Sequence, residues 1–330
     1  MKALVYTNPL EVTFRDEPDP ALAAGEVVLK IDAVGICGSD MHAYHGHDPR
    51  RNPPLILGHE LAGTVVAGPF LGKRFTANPL ITCGHCEYCV QGRNNLCANR
   101  TMVGMTRPGA FAQLMSIPAS SLVEIPPEMD ARTAALTEPA ATALHALNLS
   151  MRAMHRPLAE GSLLVIGGGA IGMLVALLAK HYGCRDIRVA ETNLLRRASV
   201  AKHTGVEVFD PIAGNGVEIN SMDLVVDAVG AKATRNAAFA AVKPGGVIMH
   251  VGLQDWASEV DMRKLTLAEI TLLGTYTYTT ADLRATVAAL AARDFGDLAW
   301  VEERPLALGA QAFRDLHEGR SAAAKIVLRP

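Results

Sequence analysis

A chain of 330 residues is longer than one ordinary hydrophobic core supports, so two domains are expected. Its formal net charge of −2, with 19% charged and 5% aromatic residues, excludes the basic footprint of a nucleic-acid binder and the stacking surface of a single-strand binder. The opening Met1-Lys2-Ala3-Leu4-Val5-Tyr6 lacks the charged, apolar and small-residue regions of a secretory signal, so a cytoplasmic location is expected.

The first stretch, to about residue 138, is rich in Gly and Pro and carries short alternating runs at 26–31 and 62–66, which read as an irregular β domain. Within it stand Gly35-Ile36-Cys37-Gly38-Ser39-Asp40, then Gly58-His59-Glu60, and at its end Thr137-Glu138-Pro139. Between them, in a lobe over residues 80–100, Cys83, Cys86, Cys89 and Cys97 follow the spacing C-x2-C-x2-C-x7-C. Four thiolates this close can complete a tetrahedron around one Zn²⁺, a closed site and so a structural one. An iron–sulfur cluster and two disulfides are the alternatives, although a ferredoxin-like run usually places proline after its last cysteine, and Ala98 stands there. His85 and Glu87 in the same lobe read as solvated, and Cys184 as a small hydrophobe.

From 139 the pattern changes. A helix is predicted over 139–156, then strand 162–166, helix 170–182, strand 187–190, helix 194–203, strands 206–209 and 224–229, helix 231–242, and strands 247–251 and 270–276. Strands alternating with helices imply a doubly wound parallel sheet covered on both faces. Residues 161–179 carry no charge and are long enough to span a bilayer. Three consecutive glycines in their middle make them a strand–turn–helix instead, and no membrane association is expected. The tail, 281–330, reads as two helical stretches and a strand at 325–328 that do not extend the alternation. It is assigned to the first domain, so residues 1–142 with 281–330 enclose an inserted nucleotide domain at 143–280.

Gly167-Gly168-Gly169-Ala170-Ile171-Gly172 fits G-x-G-x-x-G between the strand and the helix, as a dinucleotide pyrophosphate site requires. Gly167 allows the tight turn, Gly169 lets the pyrophosphate approach, and Gly172 lets helix and strand pack. The helix N-terminus, from Ala170 and Ile171 onward, offers free N–H groups to the anion. Glu191, nineteen residues after Gly172, is placed to accept both ribose hydroxyls and to repel a 2′-phosphate, which favours NAD over NADP. The competing reading has Glu191 capping the next helix. Arg196 and Arg197 partly offset the repulsion.

These segments, in this order, resemble the zinc-containing medium-chain alcohol and polyol dehydrogenases over essentially the whole chain. The resemblance implies a GroES-like β-rich catalytic domain with an inserted Rossmann domain, and two Zn²⁺ per chain. It implies that Cys37, His59 and either Glu60 or Glu138 hold the catalytic zinc, that Ser39 takes the alcohol proton, and that His42 passes it on. Relatives with a Cys-His-Cys site carry a second cysteine near Glu138, so the carboxylates here point to the sorbitol, threonine and sugar-phosphate branches. Thr277 stands where sorbitol-type members place an arginine, which weakens the case for sorbitol itself. The expected reaction is reversible hydride transfer from a secondary alcohol of a sugar alcohol, polyol phosphate or vicinal diol, in a homodimer or homotetramer. Amino-alcohol oxidation of the threonine-dehydrogenase kind and a non-catalytic nucleotide-binding relative are the alternatives. Tyr44 is a candidate for the edge of the substrate pocket, while His45 and His47 read as solvated.

Overall fold

The run at 26–31 forms the first part of a longer strand, Glu26–Gly35, because its apolar residues continue through Val34 and all of them find cover. In the computed structural model, which describes residues 1–214 and 216–330, this strand is central to a seven-stranded sheet. It pairs antiparallel with Glu60–Ala67, with Leu114–Pro118 and with Lys325–Arg329. The register sets Gly35 opposite Glu60 and Val327 opposite Gly35, so three distant parts of the chain meet at one end of the sheet. Gly35 is required there: a Cβ on it would lie 2.0 Å from Glu60 Oε2.

The chain divides into two compact units. The first is Met1–Pro139 with Thr279–Ala292 and Val301–Pro330; the second is Ala140–Tyr278 with Arg293–Trp300. The tail contributes the helices Thr280–Ala291 and Gly309–His317 and the strand Lys325–Arg329 to the first unit. It also contributes a strand that the sequence reading did not place, Val301–Pro305, parallel to Lys325–Arg329. That strand is Val-Glu-Glu-Arg-Pro and lies at the sheet's edge, where charge and proline guard against further pairing. The same features hide it from an apolar pattern search.

The second unit is a six-stranded sheet, parallel throughout, in the spatial order Glu207–Phe209, Asp186–Ala190, Ser162–Ile166, Met222–Asp227, Val242–His250, Thr271–Gly274. Numbered along the chain this is 3-2-1-4-5-6, the doubly wound order in which a dinucleotide lies where the strand order reverses. The expected helix at 139–156 runs Thr137–Ala153. The uncharged stretch at 161–179 is the strand Ser162–Ile166 and most of the helix Ala170–His181. Among the described residues no helix is long and apolar enough to cross a membrane.

The glycine turn joins that strand and helix. Gly167 has φ +100°, a conformation that favours glycine. A Cβ at Gly172 would fall 1.8 Å from the Gly167 carbonyl oxygen, whereas one at Gly169 would meet nothing within 4 Å. The helix therefore presses onto the turn at Gly172 and leaves open space at Gly169. Gly172→Ala is expected to force the turn open, lowering stability by about 1–3 kcal/mol and weakening nucleotide binding; urea unfolding and NAD titration check both.

Candidate active site

Three of the predicted ligands converge in the first unit. Cys37, His59 and Glu60 bring ligand atoms within 4.8 Å of one another. Cys37 caps the N-terminus of the helix Gly38–Tyr44; Glu60 opens its strand, with His59 just before it. His59 and Glu60 are buried and Cys37 is half-buried. Glu138, in the first turn of Thr137–Ala153, is also buried but is not a member of this trio.

Three residues that the sequence reading does not assign support the site, Lys325 and Asp40 by holding the trio and Arg51 by holding Ser39. Lys325 is buried and donates from Nζ to both Glu60 carboxylate oxygens, at 2.6 and 2.7 Å, and to the Ile36 carbonyl at 2.7 Å. Burial depresses its pKa, but Glu60, Cys37 and Glu138 outweigh that and leave it raised. Asp40 accepts the Cys37 backbone N–H at 3.0 Å with one oxygen, and its other oxygen lies 3.5 Å from His59 Nδ1. Those last two atoms lack a hydrogen-bond partner among the described residues. Burial pushes Asp40 upward, but the charges of His59 and Arg51 and the Cys37 backbone N–H hold it below the usual carboxylate range. Burial likewise depresses His59, but Asp40 and Cys37 raise it well above its ordinary value.

Arg51 is the third. Its buried guanidinium donates to Asp48 Oδ2 at 2.7 Å, to the Gly104 and Ser39 carbonyls at 3.1 Å, and to Ser39 Oγ at 3.2 Å. It thus fixes the predicted proton acceptor by backbone and side chain together. His42, on the same helix as Ser39, is half-buried, and burial followed by the His47 charge lowers its pKa. Tyr44 is not at a pocket edge: it is buried in the core with its ring 5.3 Å from that of Phe313. His47 is exposed as expected; His45 is half-buried and hydrogen-bonded to His317 at 2.9 Å.

The four lobe cysteines form the second cluster, with ligand atoms again within 4.8 Å of one another. All six cysteines of the chain are free. Cys83 Sγ lies 3.6 Å from Cys97 Sγ and 4.0 Å from Cys89 Sγ. Four sulfurs each about 2.3 Å from a tetrahedral zinc stand about 3.8 Å apart, so the donor set fits a closed metal site. Cys83 has its pKa drawn down by backbone hydrogen bonds from His85 and Cys86, toward the thiolate that a metal needs.

In the second unit, the Glu191 carboxylate accepts the Gly168 N–H at 2.8 Å and the Asn193 N–H at 2.7 Å. It therefore sits against the glycine turn. The following helix is capped by Asn193, which accepts the Arg196 N–H. Arg196 Nη2 reaches the Glu191 carboxylate at 3.3 Å, whereas Arg197 donates to the Glu191 backbone carbonyl at 2.9 Å and pairs with Asp210 at 3.0 Å.

Residues 23–127 match the family model of the alcohol dehydrogenase GroES-like domain, and residues 170–293 match that of the zinc-binding dehydrogenases. The L-threonine 3-dehydrogenase of Cronobacter sakazakii is 30% identical over 294 residues, which is 84% of each chain. The chain belongs to the zinc-containing medium-chain dehydrogenases. It is an oxidoreductase acting on alcohols with NAD or NADP. Another member of this dehydrogenase family, the L-galactonate-5-dehydrogenase of Escherichia coli, is 30% identical over 296 residues, covering 86% of this chain and 85% of the relative. The alcohol dehydrogenase TADH from Thermus sp. ATN1 superposes over 100% of both chains with a TM-score of 0.91 at 27% identity.

In this dehydrogenase, removing Lys325 leaves a buried carboxylate unpaired. Lys325→Met is expected to destabilise the first unit by about 3–5 kcal/mol, read as a lower unfolding midpoint in urea.

Proposed function

We propose that this dehydrogenase holds a catalytic zinc at Cys37, His59 and Glu60, and a structural zinc at Cys83, Cys86, Cys89 and Cys97. The observation that carries the proposal is the convergence of Cys37, His59 and Glu60 beside a hydroxyl, Ser39, that a buried arginine fixes. Glu60 is preferred over Glu138 because it stands in the trio, and a carboxylate has lone pairs enough for both Lys325 and a metal. His59 turns Nδ1 to Asp40, which leaves Nε2 for the metal, a carboxylate–histidine–zinc arrangement. Glu138 is then a neighbouring carboxylate.

Zinc, when bound, supplies Lewis-acid polarisation of the alcohol oxygen. A nicotinamide held by the second unit would supply the hydride acceptor. The chain's own residues manage the proton. Arg51 donates into one lone pair of Ser39 Oγ, leaving the second lone pair to accept from the alcohol and the Ser39 hydrogen to pass on. His42, kept neutral by burial, is the acceptor further along. The first unit is read as the catalytic domain and the second as the nucleotide domain; residues 140–142 and 293–300, expected in the former, fall in the second unit, and 279–280 in the first.

A carboxylate in place of a second cysteine supports a hydroxyl-rich substrate: a sugar alcohol, polyol phosphate or vicinal diol. Glu191 beside the glycine turn supports NAD over NADP. The exposed edge strand Thr271–Gly274, with Leu272 42% exposed, supports a homodimer or homotetramer that covers it. Six free thiols suit the reducing cytoplasm.

Metal analysis tests the two-zinc assignment. The native protein is expected to carry two zincs, and Cys37→Ala one, without turnover on any of a panel of polyols, polyol phosphates, diols and threonine, yet still folded and binding NAD. Cys97→Ser is expected to lose the other zinc and much of its thermal stability. Zinc-replete, active Cys37→Ala would overturn the catalytic assignment. For the nucleotide, Glu191→Ala is expected to raise kcat/KM with NADP relative to NAD, by about tenfold for each 1.4 kcal/mol of repulsion removed.

A further inference from the structure

Two helices of the first unit end side by side. Gly38–Tyr44 is capped at its C-terminus by His45, and Gly309–His317 ends on His317. His45 Nε2 lies 2.9 Å from His317 Nδ1, with the ring centroids 5.0 Å apart and the planes inclined by 58°. The His47 ring centroid is 5.6 Å from that of His45. His317 and His47 are exposed and His45 is half-buried, so solvent reaches all three. None of them belongs to the ligand sets or the proton path described above.

Two imidazole nitrogens this close share one proton and cannot both be protonated without repulsion. Burial, then the charges of His317, His47 and His42, lowers the His45 pKa and keeps that ring neutral. A neutral imidazole with an available lone pair is a strong ligand for divalent transition metals. Two nitrogens bound at about 2.0–2.1 Å in adjacent right-angle positions of one ion stand about 2.9 Å apart, which is the separation found here. The carbonyl ends of both helices add negative partial charge at the same place.

We propose that His45 Nε2 and His317 Nδ1 form an additional binding site for a divalent first-row transition cation, with Ni²⁺ or Cu²⁺ preferred over Zn²⁺. Binding replaces the hydrogen bond between the rings and requires a change of tautomer and a turn of the two rings that brings both lone pairs onto the ion. His45 carries its proton on Nδ1 and His317 on Nε2, both facing nitrogens present lone pairs, and no net proton is released. Tetragonal geometry and the Irving–Williams order place Ni²⁺ and Cu²⁺ ahead of zinc at such a nitrogen pair. The cation ties together residues 272 positions apart. It also anchors the end of the helix that carries Ser39 and His42.

Calorimetric titration of the untagged, zinc-loaded enzyme with Ni²⁺ alone tests this, with bound zinc measured on the same samples. The native protein is expected to take up one more equivalent than His317→Gln, at constant zinc, and to gain thermal stability as Ni²⁺ rises. His45→Gln is expected to weaken the same equivalent by about tenfold or more. Both variants replace residues at a solvent-accessible surface, and unchanged melting temperatures without Ni²⁺ will verify their folding. Equal stoichiometry and affinity in the native protein and both variants would overturn the proposal, as would no uptake by the native protein beyond its resident zinc.

Discussion

A carboxylate with no surface on water has to find positive charge or give up its own. Glu60 finds it in Lys325, and much of the first unit follows from that requirement. All three protons of the ammonium are used, two on Glu60 and one on the Ile36 carbonyl. The pair therefore fixes the strand that carries Glu60 and also the segment that delivers Cys37. It demands glycine at position 35, because any side chain there would occupy the carboxylate's place. A buried ion pair of this kind adds little net stability over an apolar substitute. Its contribution is geometric: the carboxylate is held at a fixed position before any metal or substrate arrives.

Two further ties extend the same logic. Asp40 joins the Cys37 backbone to the His59 ring, so two candidate ligands share one support. Arg51 gathers Asp48, Gly104 and Ser39 around a single cation. Glu60 and Arg51 are thus each paired with an opposite charge beside an extensive apolar core. The candidate ligands are oriented by neighbouring side chains, which is how a reactive site keeps its geometry.

The second unit was the more legible in the sequence, since a buried parallel sheet writes apolar runs and its glycine turn has few alternatives. The strand Ser162–Ile166 was read with its bounds intact. The edge strand Val301–Pro305 was not read, because an edge needs charge where a core strand needs apolar residues. Cys37, His59 and either Glu60 or Glu138 were candidates through the family resemblance, yet Lys325, Asp40 and Arg51 were not. Their chemistry depends on partners up to 265 residues away, and a lysine at the head of an apolar strand carries no local mark of burial. The burial of Tyr44 was hidden for the same reason: its neighbour Phe313 comes from the far end of the chain.

The pairing of Lys325 with Glu60 also sets an order of events during synthesis. Everything from Ala140 to Tyr278, a unit with its own sheet, is translated between the two halves of that ion pair. Domains usually fold as they leave the ribosome, the earlier part first. Here the earlier part must wait: Glu60 and the sheet end around it stay uncompensated until residues 325–329 emerge and the Lys325–Arg329 strand docks beside Glu26–Gly35. The nucleotide unit is complete in sequence before then. The first unit, begun earliest, is therefore the last to close.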